Sequence, residues 1–465
     1  MRLIAYMKPY AHWVIFALLL VLGLTAFDLY RPMLVGDAID TFGANGDYDV
    51  IIATAIKYAV VLALSFAFNI AQTWILQKTG QNIILQMRKD LYRHIQSLGS
   101  RYFDITPVGK LVTRVTNDVE ALNEMYSGIL VQLFRNIVKI VGLAGVMLVL
   151  DVRLAAISFV LMPLVIGLTV LCQKIARNIY RLYRTRLTDI NTFLSEHLSG
   201  MKIIQIFGRQ ERKFEEFHDK NTKLYKAFYR EMLMYAVFRP LIYILSILSL
   251  MIVLWFGSRN VFDEIISVGT LYIFSNYIRS FFDPIQELAE QFSTLQSSIA
   301  SAEKIFTVMD EDEFIPEVEN PKQPDKITGK IEFDHVWFAY DGENYVLKDV
   351  SFVINPGEKV AFVGATGAGK SSILNLIGRY YDIQKGHIYI DGIDIRQLSK
   401  KQLRSAIGQM QQDVFIFEGD VAYNIRLNDD DITDAQVKAA AEYVNASHFI
   451  EKLPQGYHEP VTERG

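Results

Sequence analysis

A single cysteine, Cys172, excludes any disulfide within this 465-residue chain and fits a chain whose bulk faces the cytosol. Basic charge is not in excess either. The 47 Lys and Arg stand against 51 Asp and Glu for a net charge of −4, which is no footprint for nucleic acid. No cleavable signal peptide is evident, because the first apolar run is too long and lacks a small-residue cleavage site. What is present is apolar bulk. The 51% hydrophobic fraction averages a very apolar first part with a polar second part, in a chain long enough for two or more domains.

A helix needs roughly 20 apolar residues to cross a bilayer. Residues 11–33, 58–76, 129–150, 154–171 and 232–256 qualify, and the third and fourth runs are separated only by Asp151, Val152 and Arg153, a tight re-entry turn. A sixth run, 265–282, is diluted by Ser, Asn and Arg279. It is expected to span as well, so that both ends lie on one side; a buried or interfacial helix is the alternative. Charge placement agrees with that count. The expected outer loop 36–50 contains no Lys or Arg, and the other two contain only Arg153 and Arg259. The inner segments carry Lys78, Arg88, Lys89, Arg93, Arg101, Lys110 and Arg114, then Lys174, Arg177, Arg181, Arg184, Arg186, Lys202, Arg209 and Arg212. This asymmetry predicts cytoplasmic termini.

Those inner segments, 77–127 and 173–231, have helical periodicity and few breakers, as at Ile203, Ile206, Phe207, Phe214 and Phe217. At 1.5 Å per residue they predict helices running tens of Å beyond the bilayer and back. Thr106, Pro107 and Gly109 break the first one, a turn at the far tip and well placed to touch a cytoplasmic domain. A charged stretch, 310–330, holds Pro316, Pro321 and Pro324 and marks the expected boundary between a first domain, 1–309, and a second, 331–465.

The second part carries the chemistry. Gly364, Ala365, Thr366, Gly367, Ala368, Gly369, Lys370 and Ser371 fit the pattern G-x-x-x-x-G-K-[ST]. A strand-like run, 360–363, precedes them and a helix-like run, 371–380, follows. In that context the glycines let backbone N–H groups converge on a phosphate at a helix N-terminus. Lys370 can reach β- and γ-phosphates, and the Ser371 hydroxyl can ligate Mg²⁺. Runs at 331–336, 347–354 and 387–390 read as strands, with a turn at Asn355, Pro356, Gly357 and Glu358, so the part reads as α/β.

Three groups of residues carry a family resemblance: Trp337-Phe338-Ala339-Tyr340, the glycine-rich loop through Ser372, and Gln411-Gln412-Asp413-Val414-Phe415-Ile416-Phe417 followed by Gly419 and Asn424-Ile425. In order and spacing they resemble the nucleotide-binding domains of ABC transporters. Phe103-Asp104, Thr106-Pro107-Val108-Gly109 and Thr113-Arg114-Val115-Thr116-Asn117-Asp118 resemble the first intracellular loop of ABC exporters. Gln411 to Phe415 and Asn424-Ile425-Arg426-Leu427-Asn428 are similar to the YheH/BmrD-type halves of multidrug exporters. The resemblance covers the whole chain. It implies a six-helix membrane domain with long cytoplasmic extensions, followed by the N-terminal part of a P-loop domain that binds ATP and Mg²⁺. Tyr340 would then stack on adenine and Ser372 would reach the α-phosphate. Gln412 would reach Mg²⁺ or the attacking water, although Gln411 beside it leaves the register open.

One departure is plain. No Leu-Ser-Gly-Gly-Gln-like segment, second strand ending in Asp-Glu, or switch histidine occurs in these residues, and His448 and His458 read as surface positions. The expectation is a chain that binds ATP without hydrolysing it by itself, as the first part of a longer reading frame. Asp28, Arg31, Arg135, Lys139 and Arg239 fall within the apolar runs. Arg135, Lys139 and Arg239 either snorkel to the inner interface or line an inward cavity unsuited to permanently cationic compounds.

The expected function is ATP-driven export of a small amphipathic or lipophilic compound, drug or lipid, from a bacterial cytoplasm, by one half of a dimer in the cytoplasmic membrane. Its partners would be membrane lipid, the small-molecule substrate and a second half, and the subfamily resemblance favours a heterodimer. The competing reading is a catalytically silent ATP-binding half that regulates an active partner. An importer is disfavoured, because importers of this class usually keep spans and ATPase on separate chains.

Overall fold

Breakers are so sparse in the apolar part that it folds into six helices of 42 to 53 residues. The computed structural model describes residues 2–462 except 46, 47, 325, 411–413, 428 and 430, and the backbone alone at 44, 45, 239 and 289. Two units emerge, Met1–Phe314 and Ile315–Gly465.

In the first unit the helices are α1 (Arg2–Gly43), α2 (Tyr48–Ser97), α3 (Val108–Leu150), α4 (Val152–Ser199), α5 (Gln210–Phe262) and α6 (Val268–Met309). The first five are long and apolar enough to cross a membrane. Asp151 makes the expected re-entry turn by accepting a hydrogen bond from the Leu154 amide at 2.6 Å. The tips also fall where expected. A short helix, Ser100–Ile105, ends before Pro107, and a second, Met201–Ile206, ends before Gly208, whose φ of 59° ends the helix.

One expectation needs correction. The stretch 36–50 is helical wherever it is described, because α1 continues to Gly43 and α2 begins at Tyr48; it does so against the low helix propensity of its Asp, Thr and Gly residues. The sixth run is part of α6 but lacks the apolar composition of the other five. Packing explains it. Ile273, Phe274, Tyr277, Ile278, Phe281 and Phe282 of α6 are buried against α3, α4 and α5. Farther along, Ala302, Ile305 and Val308 join a second cluster with Ile83, Met87 and Leu91 of α2 and Leu122 and Met125 of α3. A helix that faces protein on most sides need not be apolar all round. By contrast α2 leaves Ile52, Ile56, Phe66, Ile70 and Trp74 exposed, an apolar face suited to lipid.

Polar side chains tie the helices together at chosen levels. Asp118, buried in a π-helical turn of α3, pairs with Arg114 and accepts a hydrogen bond from Ser301 of α6 at 2.9 Å. Asn136 donates to Glu287 and Gln291 of α6 at 3.0 and 3.3 Å. Arg135 has a partner on another helix. Its Nη2 donates across to Asp28 of α1 at 3.4 Å, and Arg31 pairs with the other oxygen of the same carboxylate. The side chain of Arg239 lies outside the described residues.

The second unit holds an antiparallel sheet in the order β2-β1-β3-β4, from β1 (Ile331–Phe338), β2 (Leu347–Ile354), β3 (Lys385–Ile390) and β4 (Ile393–Asp394). A small pair, β5 (Gly419–Asp420) and β6 (Pro460–Val461), lies apart from it. β1 does not alternate throughout. Phe333, Val336 and Phe338 are all buried because a bulge at His335, with φ 48°, adds one residue against β3. Opposite the bulge, Gly386 has φ 88°, and a Cβ there would meet the His335 carbonyl oxygen at 2.3 Å. The described residues of 311–330 are irregular, yet Lys322 donates its amide to the Gln397 carbonyl, and Lys400 reaches the Ile315 carbonyl at 2.8 Å. Much of the Pro-rich stretch is therefore bound to the second unit.

Residues 360–363 have no regular secondary structure and form no ladder with any described strand, and Val363 is 91% exposed. The sequence predicts a strand there. A strand, however, exists through its neighbours' hydrogen bonds, and none lies alongside among the described residues.

At the far edge of the sheet, Asp394 is buried and accepts bonds from the Arg396 amide (2.8 Å), its guanidinium (2.7 Å) and His387 Nδ1 (2.8 Å). Burial works against ionisation, but the bonds from Arg396 and His387 outweigh it and hold the carboxyl at about 2. An unfolded Asp titrates near 3.9, so this group stabilises the fold above about pH 4, and the contribution is lost as pH falls toward 2. Asp394→Asn is expected to cost about 2 kcal/mol at pH 7 and to flatten that acid limb. Thermal unfolding of the variant between pH 3 and 7 checks both.

Candidate functional site

The glycine-rich loop leads into α7 (Lys370–Ile377), which buries Ile373, Leu376 and Ile377 against the sheet. Its first turn is left open. Gly369 precedes it at φ 86°, a left-handed conformation, and no side chain caps it. A Cβ on Gly369 would meet the Leu347 methyl at 2.7 Å, so a larger residue would strain the backbone and also displace that side chain. The start of the helix is therefore left without a side-chain cap, which is the arrangement an anion needs.

Lys370 Nζ folds over the loop and donates to the carbonyls of Gly364 at 2.9 Å and Ala365 at 2.8 Å. From there the ammonium needs only a side-chain rotation to reach a phosphate on the loop amides. Ala365, Thr366, Gly367 and Ala368 are exposed along the rim, as is Ser371, while Ser372 is buried. The Ser372 hydroxyl bonds the Tyr340 hydroxyl at 2.9 Å. The structure thus brings together the residue expected at the adenine and the one expected at the α-phosphate. The Tyr340 ring stands edge-on to Phe338 and Tyr381, at 4.7 and 5.1 Å between centroids, and remains partly exposed. The residues fit a nucleotide triphosphate: three glycines with positive φ, an uncapped helix start, a cation and a partly exposed aromatic ring. Mg²⁺ would be held by Ser371 and the phosphates, consistent with its preference for few protein oxygens.

Gln384 was not legible as a site residue. Its side chain accepts from the Ala339 amide and donates to the Ala339 carbonyl, both at 2.9 Å, standing in for a strand neighbour one residue before Tyr340. Only an amide side chain offers that donor and acceptor pair. Gln384→Ala leaves both buried groups of Ala339 unpaired and frees Tyr340, at a cost of about 1–3 kcal/mol. The expected outcome is about tenfold weaker ATP binding, read by titration with a fluorescent ATP analogue.

Gln411, Gln412 and Asp413 lie outside the described residues, as does Asn428. Beyond them the chain is held by Asn424 of α9, where α8 is Lys400–Ser405 and α9 is Val421–Arg426. Asn424 accepts from the Phe417 amide at 2.8 Å and donates to the Phe417 carbonyl at 2.9 Å. His458 is exposed, with Nδ1 3.1 Å from Asp420, and takes no part in the site.

Comparison with known proteins agrees with this geometry. Residues 14–285 match the family described as the ABC transporter transmembrane region, and residues 347–459 the family described as ABC transporter. The chain belongs to the ABC transporters. It is a half-transporter, with a membrane region and an ATP-binding region on one chain. A Streptococcus pneumoniae protein named as an ABC transporter ATP-binding protein is 37% identical over all of this chain and 79% of its own length. A Bacillus subtilis protein named for multidrug resistance, an ATP-binding/permease protein, is 35% identical over 88% of this chain and 61% of its own. A fatty acid ABC transporter ATP-binding/permease protein of Mycobacterium tuberculosis is 35% identical over 88% of this chain and 64% of its own.

Proposed function

We propose that this ABC half-transporter exports a small amphipathic or lipophilic compound from the bacterial cytoplasm, using ATP and Mg²⁺, with a second half-transporter as partner. A heterodimer is favoured over a homodimer. Residues 1–309 form the membrane domain in this reading, 310–330 the linker and 331–465 the ATP-binding part, and both termini are cytoplasmic. The observation that carries the proposal is the uncapped start of α7, with Lys370 folded over it and Tyr340 tied to Ser372 beside it. The names of the relatives, for multidrug resistance and fatty acids, support an amphipathic or lipophilic cargo.

Lys370 and the loop from Gly364 to Gly369 would grip the phosphates, Ser371 and Gln412 would meet Mg²⁺, and Tyr340 would hold adenine. ATP can shift the transporter toward one access state only by binding that state more tightly. The named residues supply binding; the water-orienting carboxylate and signature segment of the family are not among them. The test is ATP-dependent uptake of a lipophilic dye into inside-out vesicles carrying the transporter and its partner. Uptake that proceeds equally without ATP would overturn the proposal.

A further inference from the structure

A cavity of about 270 Å³ lies among α1, α3 and α6, with Tyr58 of α2 on its wall. At roughly 30 Å³ per water this is room for a headgroup rather than a whole amphiphile. Asp28 lies 15 residues before the end of α1 at Gly43, and Arg135 lies 15 before the end of α3 at Leu150. At 1.5 Å per residue both are roughly 22 Å from those helix ends, and both fall within the apolar runs 11–33 and 129–150.

The charges there do not balance. Asp28 is the sole carboxylate lining the cavity, against Arg31 and Lys139. Its two oxygens are already taken by Arg31 and by Arg135. The buried Arg31 Nε has no hydrogen-bond partner, and Lys139 has no hydrogen bond or ion pair among the described residues. Asp283 and Glu287 of α6 act on Lys139 only at longer range, and Glu287 is engaged by Asn136. Arg31 and Arg135 thus share the one carboxylate of Asp28, and Lys139 is left with Asp283 and Glu287 at longer range, in an apolar segment where an unpaired charge costs roughly 2.5–3.5 kcal/mol. Tyr272 and Asn276 add neutral polar groups to the same wall.

We infer that this cavity binds the anionic headgroup, a phosphate or carboxylate, of an amphiphilic molecule. The inference rests on the transporter reading and names the substrate class it would carry. Lys139 and the open edge of Arg31 supply the charge-assisted donors, and the surrounding apolar helices accept the chain. The same headgroup could come from a bilayer lipid or from a soluble amphiphile entering from the cytoplasm.

The test uses the transporter in nanodiscs of zwitterionic phospholipid, with dodecyl phosphate, dodecyl maltoside, dodecyltrimethylammonium and inorganic phosphate as probes, read by equilibrium binding. Dodecyl phosphate is expected to bind at least tenfold tighter than the cationic probe. Lys139→Leu is expected to lower the ratio of dodecyl phosphate to dodecyl maltoside affinity about tenfold, and Lys139→Arg to keep it. A ratio unchanged in Lys139→Leu, or cationic binding as tight as anionic, would overturn the inference. So would inorganic phosphate binding as tightly as dodecyl phosphate, since the site would then recognise a free anion. Repeating the measurement with phosphatidylglycerol in the disc separates the sources: competition by that lipid supports a bilayer lipid, and its absence a soluble amphiphile. ATP-dependent dye transport on the same preparation separates the two levels of failure. Intact transport without anion preference removes this inference alone, and absent transport removes the function proposed above along with it.

Discussion

Lys370→Ala is expected to weaken ATP binding by about 100-fold and to reduce ATP-dependent transport to background. The size follows from what the ammonium does. Two charge-assisted hydrogen bonds to phosphate oxygens are worth about 1.5–3 kcal/mol each, and in water every 1.4 kcal/mol is tenfold. Some of that gain is already offset, because Lys370 must first give up the Gly364 and Ala365 carbonyls it holds at 2.9 and 2.8 Å. Alanine frees those carbonyls to water, since the rim is exposed, so the fold should not suffer. The variant should unfold at the wild-type temperature without nucleotide and lose the stabilisation that saturating ATP gives the wild type. Unchanged nucleotide affinity would remove the phosphate site from α7 altogether.

The largest effect on stability is expected at Gly386. A Cβ there would lie 2.3 Å from the His335 oxygen and 2.5 Å from the Asp334 oxygen, both backbone atoms fixed by the bulge in β1. Its φ of 88° adds conformational strain of about 1 kcal/mol. Gly386→Ala should therefore cost about 3–5 kcal/mol, against the 1–3 of ordinary overpacking, because no flexible side chain can yield. Gly392→Ala is the matched comparison. That residue has φ 75°, and a methyl group added to it would meet nothing within 4 Å, so only the strain applies. Calorimetric unfolding of the two variants should rank them clearly, and equal losses would mean that β1 relaxes away from its bulge. Because Tyr340 lies two residues beyond the end of β1, the Gly386 variant should also bind ATP more weakly.

The parts that the sequence made legible are local ones. An apolar run of roughly 20 residues is by itself enough to indicate a membrane span, and the glycine-rich loop needs only the helix behind it. What escaped depends on distant partners. The partner of Arg135 is Asp28, 107 positions earlier. The bulge at His335 requires Gly386, and Gln384 shows its role only when Ala339 lies next to it. The strand expected at 360–363 failed for the same reason, since a strand exists only with a hydrogen-bonded neighbour. α6 was legible as a helix despite its diluted hydropathy, but the protein partners that surround it were not.

That helix has a mechanical consequence. One end of α6 is wedged among Leu143, Met147 and Phe238, and the other among Met87, Leu91 and Leu122, so sliding along its axis would unpack both ends together. Bending is the cheaper route, and Pro284 sits between the two wedges with its missing amide already weakening the rod. Access to the two sides of the bilayer would then change by flexure at that proline while each end keeps its own grip.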